Sequence, residues 1–466
     1  MCGIIGVHDQ ERAAEMAMLG LFAEQHRGQE SCGMAVSDGR RLKLRKKMGL
    51  VKQVFTPELL AELRGNIAIG HVRYPTCGSA TEFNSQPHTV ETLSGPSFAL
   101  ASNGDLVNYQ SIRNDLESKG VYFASDNDGE LLIKYIVYQV EKCGKSIVEG
   151  IKSLMENIKG AYSTVLATRE ELYMFRDPNA IRPMVWGIRS DGVVVAASES
   201  CALDILGIRE AMEVRGGEII VSGKNGVIKD SVDAEKLRGV KSFNHCMFEH
   251  VYFSRPDSFH FGENVYRVRQ AIGQQLAEDD DCQADMVVPV PDSANFIALG
   301  YARKKEIPYE MGLIRNHYVG RTFIKPEQTI RDESVHQKFN TLPFFFQDKR
   351  IVLIDDSIVR GTTIRNLIRL IKNSGANEVH LRIGSPQVKY SCYYGIDTPT
   401  KNELIANKLT LEKIREYIGA DSIKHLSINK LRKTVHKPDD YCYACFDGNY
   451  PIKPERELDR EKYNDS

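Results

Sequence analysis

The chain has 466 residues, a formal net charge of −1 and 26% charged residues. This length predicts about two to three domains, and the balanced charge argues against a protein drawn to nucleic acid or to anionic lipid. The first residues include Asp9, Glu11 and Glu15 and lack the pattern of a secretory signal, and no apolar run reaches the ~18 residues of a membrane helix. We therefore expect a cytoplasmic protein without a membrane or nucleic-acid partner.

The first half of the chain alternates short apolar runs with Gly, Asn and Pro. The runs predict strands at 3–8, 49–55, 66–74, 97–104, 161–168, 172–177, 193–200 and 217–223. Helical spacing of apolar residues predicts helices over 12–25 and 128–142. The basic run at 40–47 is interpreted as a solvated strand and turn rather than a nucleic-acid patch. Many strands and few long helices indicate an α+β domain with layered sheets.

The second half has the sequence pattern of an α/β domain, in which predicted strands alternate with predicted helices. Apolar runs predict strands at 284–291, 350–356 and 378–386, and helices at 263–278, 295–305 and 364–375. Buried strands that alternate with helices indicate a parallel sheet covered on both faces. The polar stretch 230–239 is predicted to join the halves, which gives domains 1–235 and 236–466.

The chain begins MCGIIGV, which places a cysteine at position two. Ten of the 466 residues are cysteine, so chance alone could put one there. Alternatively, removal of Met1 leaves Cys2 with a free α-amine (pKa ~7.7–8.0) beside its thiol (pKa ~8.5), and one residue then carries a nucleophile and a base.

The most informative motif is IVLIDDSIVRGTT, residues 351–363. A buried strand ends in Asp355 and Asp356 and turns into a helix, whose first N–H groups form a phosphate site. Gly361 allows close backbone approach, and Thr362 and Thr363 add hydroxyl donors. The carboxylates suit ribose hydroxyls or Mg²⁺. The pattern favours a phosphorylated ribose over an ordinary strand-to-helix turn with a threonine cap.

This string resembles the phosphoribosylpyrophosphate (PRPP) signature of type I phosphoribosyltransferases, and two other segments agree with it. The segment VVPVPDSAN, 287–295, resembles the pyrophosphate loop of that family, and 315–328 resembles the hood that closes over PRPP. Position 294 is Ala where relatives often have Ser. Arg321 of the hood is either a partner of the leaving pyrophosphate or a surface arginine. The resemblance implies that PRPP binds to Asp292, Ser293, Arg321, Asp355, Asp356, Ser357, Arg360, Gly361, Thr362 and Thr363, and Mg²⁺ to the two aspartates.

Five segments of the first half together resemble class II glutamine amidotransferases of the N-terminal-nucleophile family. They are MCGIIG (1–6), HRGQES (26–31), GHVRYPTCG (70–78), SNGDLVNY (102–109) and SDNDGE (125–130). The resemblance implies that Cys2 attacks glutamine and that Asn103 and the Gly104 N–H hold the oxyanion. It also implies that Arg73 binds the glutamine carboxylate and Asp128 the ammonium, with Asp126 as a rival. Taken singly, Arg73 could be a surface ion pair, Asn103–Gly104 a hairpin turn, and Asp128 a helix cap.

The whole chain is similar to the amidophosphoribosyltransferase family. The resemblance implies an N-terminal-nucleophile domain, a four-layer αββα sandwich at 1–235, followed by a type I phosphoribosyltransferase α/β domain at 236–466. It implies an enzyme that makes 5-phosphoribosylamine, glutamate and diphosphate from PRPP and glutamine at the entry to purine synthesis, with ammonia channelled between two sites. It further implies a homotetramer that purine nucleotides inhibit.

Four cysteines form a third group. Cys442 and Cys445 make a Cys-x-x-Cys, and Cys246 and Cys392 lie far upstream. The spacing alone leaves zinc, iron–sulfur and redox use open. The surrounding sequence resembles the branch of the family with a [4Fe–4S] cluster, which needs four thiolates. Members of that branch often carry a short propeptide; only Met1 precedes Cys2 here, so we expect methionine removal to suffice. The cysteines outside this group and Cys2 are interpreted as small buried residues: Cys32, Cys77, Cys143, Cys201 and Cys282.

Two rival functions are weighed against this one. An amidotransferase for a sugar or amino acid acceptor would lack the 355–363 signature. A non-enzymatic PRPP sensor would have no reason to carry Cys2, Arg73, Asn103 and Asp128 together.

Overall fold

A computed structural model describes residues 1–9, 11–74, 81–92, 95–317 and 338–455. Two antiparallel sheets build the first half. The first sheet, in spatial order, contains β11 (Met212–Glu213), β9 (Val185–Ile188), β10 (Val194–Ala197), β1 (Gly3–His8), β4 (Ile67–Arg73), β2 (Ser31–Ser37) and β3 (Leu42–Met48). The second contains β13 (Gly226–Ser231), β12 (Glu218–Gly223), β8 (Leu172–Arg176), β7 (Gly160–Ala167), β6 (Gly95–Leu106) and β5 (His88–Thr92).

Helices cover the outer face of each sheet. Ala13–Ala23 and Ser200–Ile205 pack on the first sheet, and Asp128–Glu141 and Ile147–Asn157 pack on the second. Ile4, Ala99 and Val165 lie in a separate apolar core between the sheets. Central strands are therefore buried on both faces, which explains why they appear in the sequence as continuous apolar runs. The four-layer αββα prediction is confirmed.

The second half is built around a parallel sheet in the order β17 (Met286–Pro289), β20 (Arg350–Asp355), β21 (Glu378–Ile383) and β22 (Ser422–His425). Its longer helices are Val265–Ala277, Asn295–Lys305, Thr362–Asn373 and Leu411–Ile418. The described residues of this half also form three short strand pairs: β14 (His245–Cys246) with β23 (Tyr441–Cys442), β15 (Phe259–His260) with β16 (Glu263–Asn264), and β18 (Leu313–Arg315) with β19 (Phe339–Thr341). The α/β prediction for this half is confirmed.

Short helical segments join these elements. They are Val51–Val54, Pro57–Glu62, Tyr109–Ser118, Ala234–Arg238, Pro343–Phe346, Ile405–Lys408, Ile428–Arg432 and Ala444–Asp447, the π-helical turn Glu249–Phe253, and the 3₁₀ turns Glu82–Asn84, Lys401–Glu403 and Pro438–Asp440. In the described ranges no helix is both long and apolar enough to cross a bilayer.

The structure corrects one predicted element. The strand predicted at 49–55 is wrong: Val51–Val54 is helical, and Val51 and Val54, three residues apart, are its buried residues. A short apolar run of this kind is compatible with more than one local structure. The stretch 230–239 contains the end of β13 and the helix Ala234–Arg238, whose first turn the Asp233 side chain caps.

Candidate active sites

Cys2 lies directly before β1 and is 7% exposed. Its backbone N–H donates to Oδ1 of Asn103 at 3.2 Å. Its carbonyl accepts a hydrogen bond from Nε of Arg27 at 2.9 Å. Its Sγ lies 3.7 Å from the carbonyl oxygen of Tyr74. The backbone of Cys2 is therefore held on both sides while the thiol faces the end of β4.

Asn103 and Gly104 lie inside β6, not in a hairpin turn, and pair with Ser163 and Tyr162 of β7. Nδ2 of Asn103 is buried and has no hydrogen-bond partner in the described part of the chain. A Cβ on Gly104 would lie 1.7 Å from the Ala161 carbonyl oxygen, so this position requires glycine. A buried amide donor without a partner costs free energy, which points to a ligand that accepts its hydrogen bond.

Arg73 and Asp128 are both close to this centre. Arg73 ends β4, is 2% exposed and pairs with Glu30 at 2.7 Å. Asp128 is the first residue of its helix, and the helix cap is Asn127. Burial raises the pKa of Asp128 well above its ordinary value, and the charges of Asp105 and Cys2 raise it further.

The rival carboxylate, Asp126, has different surroundings. It is exposed and pairs with Arg113 at 2.7 Å. Asp128 therefore differs from Asp126 in lying close enough to Cys2 for their charges to interact, whereas Asp126 is exposed and already has a cationic partner.

Asp355 and Asp356 lie where β20 ends, next to the loop that follows the neighbouring strand β17. Asp356 accepts hydrogen bonds from Oγ of Ser293 at 2.5 Å and Oγ of Ser357 at 2.6 Å. Burial raises the pKa of both carboxyls, and repulsion from Asp356 adds to the rise at Asp355. The structure therefore brings together the acidic pair and the predicted pyrophosphate loop.

Gly361 precedes the helix Thr362–Asn373 with φ 80°, a conformation that favours glycine. Thr362 is half-buried and Thr363 exposed at the helix start. Arg360 pairs with Glu403 at 3.0 Å. These residues follow Asp356 directly in the chain, in the turn between β20 and the helix Thr362–Asn373.

The predicted pyrophosphate loop lies in the same region. Asp292 pairs with Arg315 at 2.5 Å. Ala294 is completely buried at the start of the helix Asn295–Lys305, and the neighbouring Ser293 supplies the hydroxyl that reaches Asp356. Arg321 and most of the hood predicted at 315–328 lie outside the described residues.

The four predicted ligand cysteines line one cavity, together with Arg182 and Tyr394. Cys246 and Cys442 are opposite each other in the pair β14–β23. Burial raises the pKa of Cys246 to about 11. In the part of the chain that the structure describes, no group of three or more His, Cys, Asp or Glu residues is arranged to hold a metal ion. The four thiols share one cavity in this structure.

The remaining cysteines fit the expectation in part. Cys32 and Cys201 are buried, and Cys282 is half-buried. Cys143 is exposed, so the prediction that it is buried is wrong: it lies just past the end of the helix Asp128–Glu141. Cys77 falls outside the described residues.

Sequence reasoning missed a group of buried charges beneath Cys2. Arg27, Glu199 and Glu249 have completely buried side chains and form two ion pairs, of 2.5 Å and 2.9 Å. Arg27 belongs to HRGQES, and that motif could have drawn attention to it. No local pattern marks the two glutamates as its partners, since they lie 172 and 222 residues away.

Comparisons with known proteins match both halves of the chain. A glutamine amidotransferase domain family matches residues 77–204, and a phosphoribosyl transferase domain family matches 257–383. The chain is 44% identical to amidophosphoribosyltransferase 2, chloroplastic, of Arabidopsis thaliana, covering 97% of this chain and 80% of that protein. It is 43% identical to the amidophosphoribosyltransferase of Methanothermobacter thermautotrophicus, covering 97% and 94%.

Two solved structures are similar over almost their whole length. One is the glutamine PRPP amidotransferase of B. subtilis in complex with ADP and GMP, with a TM-score of 0.88, 38% identity, and 98% of each chain covered. The other is described as the allosteric regulatory enzyme of purine biosynthesis, with a TM-score of 0.89, 38% identity, and 98% of this chain and 97% of that one covered.

Proposed function

The chain belongs to the amidophosphoribosyltransferase family, and from that premise we propose how its residues divide the reaction. The enzyme transfers the amide nitrogen of glutamine to PRPP in purine biosynthesis, with a glutaminase half-reaction and a pentosyl transfer. We assign the glutaminase to residues 1–235 and the transfer to 236–466. The observation that carries the assignment is the contact of Cys2 with Asn103, whose buried amide donor has no partner in the described residues.

In the first half-reaction the Cys2 thiol attacks the side-chain carbonyl carbon of glutamine. The α-amine of Cys2 takes the thiol proton and gives it to the departing ammonia, and water then hydrolyses the thioester to glutamate. Removal of Met1 is required, because an amide nitrogen is not a base. Nδ2 of Asn103 and the N–H of Gly104 hold the oxyanion. The Arg73 guanidinium binds the substrate carboxylate, and Asp128 binds its ammonium.

In the second half-reaction ammonia attacks C1 of the ribose and diphosphate leaves. Asp355 and Asp356 hold the ribose hydroxyls, and the loops at Asp292–Ser293 and Ser357–Thr363, with Arg321, bind the phosphates. Mg²⁺, when bound, neutralises charge on the diphosphate. The acidic pair fits such a cation, because burial and mutual repulsion disfavour two bare carboxylates.

We assign Cys246, Cys392, Cys442 and Cys445 to a [4Fe–4S] cluster. A shared cavity suits a cluster better than a single zinc, which needs sulfurs at about 2.3 Å from one point. Burial and the neighbouring thiolates raise the pKa of Cys442 and Cys445, so a positively charged group is needed to keep them ionised. The cluster would join three distant segments of the chain.

Ammonia passes between the sites inside the protein in this proposal, because ammonia released to water is mostly protonated. Close packing of the two halves beside the oxyanion site supports it: a Cβ on Gly395 would lie 2.8 Å from the Gly104 carbonyl oxygen. Purine nucleotides are proposed as inhibitors, since the B. subtilis structure contains ADP and GMP. The homotetramer rests on the family resemblance and the cytoplasmic location on the sequence, and both stay predictions.

The test is to measure glutamate release and phosphoribosylamine synthesis with glutamine and with ammonium salt, each with and without PRPP. Cys2→Ala should abolish both glutamine-dependent activities and leave ammonia-dependent synthesis intact. Glutamine-dependent synthesis by Cys2→Ala would overturn the assignment of the nucleophile. Glutamate release without any PRPP-dependent synthesis would contradict the assignment of the transfer site.

A further inference from the structure

Glu249 belongs to the second half of the chain, yet its carboxylate lies beneath the catalytic cysteine of the first half. It is completely buried in the π-helical turn Glu249–Phe253. Its two oxygens accept hydrogen bonds from Arg27 at 2.9 and 3.1 Å. They also accept one from Arg182 at 3.3 Å and one from Ser254 at 2.8 Å.

Arg27 transmits this contact to the nucleophile. Its Nε donates to the Cys2 carbonyl at 2.9 Å, while Nη1 and Nη2 both reach Glu249. A guanidinium is planar and rigid, so a carboxylate bound to two of its nitrogens fixes the direction of the third. The position of the Cys2 backbone therefore depends on the position of Glu249.

Glu199 also pairs with Arg27 but cannot replace Glu249. It contacts Nη1 alone, at 2.5 Å. Its oxygens already accept hydrogen bonds from His26, from the Arg255 N–H and from Ser258. Without Glu249, Nη2 of Arg27 loses its partner and the plane of the guanidinium is no longer set.

We propose that Glu249 is a positioning residue for the glutaminase reaction, supplied by the phosphoribosyltransferase half and acting on Cys2 through Arg27. This rests on the proposed role of Cys2 as the nucleophile. The buried Glu249 acts on the placement of the thiol and the α-amine, and the proposed substrate-binding residues Arg73 and Asp128 are separate from it.

The expected effect of Glu249→Gln follows from this geometry. The neutral amide of Gln has about the same size as the Glu249 carboxylate. At one of the two contacts with Arg27, however, an NH₂ donor of the amide would face an N–H donor of the guanidinium. A displacement of reacting groups by about 1 Å costs about 10²-fold in rate. We expect glutamine-dependent kcat to fall about 10²-fold, the KM for glutamine to stay within about threefold, and ammonia-dependent synthesis to be unchanged.

Asp280→Asn is the matched control. Asp280 is also a buried carboxylate of the second half, 4% exposed, and it pairs with Arg382 rather than Arg27. Its replacement also breaks a buried ion pair, so it should cost similar stability. The ratio of glutamine- to ammonia-dependent rate should stay at the wild-type value in this control and fall only in Glu249→Gln.

A double-mutant cycle tests the route through Arg27. If Glu249 acts through Arg27, the double variant with Arg27→Gln should be no slower with glutamine than Arg27→Gln alone, because the link is already broken. Additive losses would overturn the proposed route. The visible absorbance of the cluster is recorded for each variant, since Arg182, another partner of Glu249, also contacts Sγ of Cys392 at 3.9 Å.

The full-length enzyme is used throughout, and Glu249→Asp, which keeps the charge, is measured beside Glu249→Gln. A wild-type rate ratio in both variants overturns the proposal. Equal loss of glutamine- and ammonia-dependent rates in both also overturns it, because Glu249 would then only hold the fold. Cys2→Ala separates failure of the proposed function from failure of this inference. If Cys2→Ala keeps glutamine-dependent synthesis, the proposed function fails. If Cys2→Ala loses that activity while Glu249→Gln keeps the wild-type ratio of glutamine- to ammonia-dependent rate, only the inference fails.

Discussion

Asn103→Ala is the most direct test of the glutaminase site. In the structure the Asn103 side chain makes one contact with the nucleophile, Oδ1 accepting from the Cys2 N–H at 3.2 Å. Its Nδ2 is buried and has no partner among the described residues, and we assign it to the oxyanion. The substitution removes both the acceptor and the donor, so its effects on stability and on rate must be separated.

The two effects differ in size. Loss of the hydrogen bond to Cys2 should lower the free energy of unfolding by about 0.5–1.5 kcal/mol. Loss of an oxyanion donor should lower kcat for glutamine hydrolysis by about 10²–10³, which is about 2.7–4 kcal/mol in the activation free energy. The donor acts mainly in the transition state, so KM for glutamine should change little.

The assay is steady-state glutamate release at saturating PRPP, with ammonia-dependent synthesis as an internal reference. Ser102→Ala is the control, because Ser102 is the preceding buried residue of β6 and its hydroxyl bonds to Thr164. Successive side chains of a strand point to opposite faces, so this change should affect stability but not kcat. If kcat of Asn103→Ala stays within about threefold of wild type, Nδ2 does not hold the oxyanion and the site must be reassigned.

Three other predictions concern the acidic pair, the cysteines and the amino terminus. Changing Asp355 and Asp356 together to Asn should abolish phosphoribosylamine synthesis with glutamine and with ammonia, while basal glutamate release survives. Synthesis at the wild-type rate by this double variant would show that neither aspartate belongs to the PRPP site. Purified protein should be brown with about four irons per chain, and Cys442→Ser should lose iron and unfold at lower denaturant concentration. A colourless, active protein with stoichiometric zinc would refute the cluster. An uncleavable extension before Cys2 should abolish glutamine-dependent activity although the thiol remains, and full activity of verified extended protein would show that the α-amine is not the base.

The sequence predicted the elements best where a long pattern had one structural solution. The helix Thr362–Asn373 was predicted at 364–375 and the strand Arg350–Asp355 at 350–356, so both observed ranges agree closely with the predicted ones. The short run 49–55 failed, because two buried valines three residues apart are compatible with a helical turn as well as with a strand. Asn103–Gly104 has the composition of a hairpin turn, and only the pairing of β6 with β7 shows that it is extended.

The sequence singled out the candidate site residues but could not show the contacts among them. Asp126 and Asp128 could not be separated by sequence, because their difference is burial and the charge of Cys2, which arise from tertiary packing. Glu199 and Glu249 could not be found at all. Glutamates are rarely buried completely. The sequence around these two glutamates contains no pattern that indicates Arg27, about two hundred residues away, as their partner.

The buried charges show that both halves of the chain contribute to the surroundings of Cys2. Arg27 would be an uncompensated buried cation without its carboxylates, and removing one partner of such a pair costs about 3–5 kcal/mol. One of the two carboxylates, Glu249, is three residues from Cys246, and Gly395, three residues after Cys392, packs on the Gly104 carbonyl. Two of the segments that carry the cavity cysteines thus also pack against the first half, at Arg27 and at Gly104. In this structure, the buried ion pair between the halves therefore also contacts the backbone of Cys2 through Arg27.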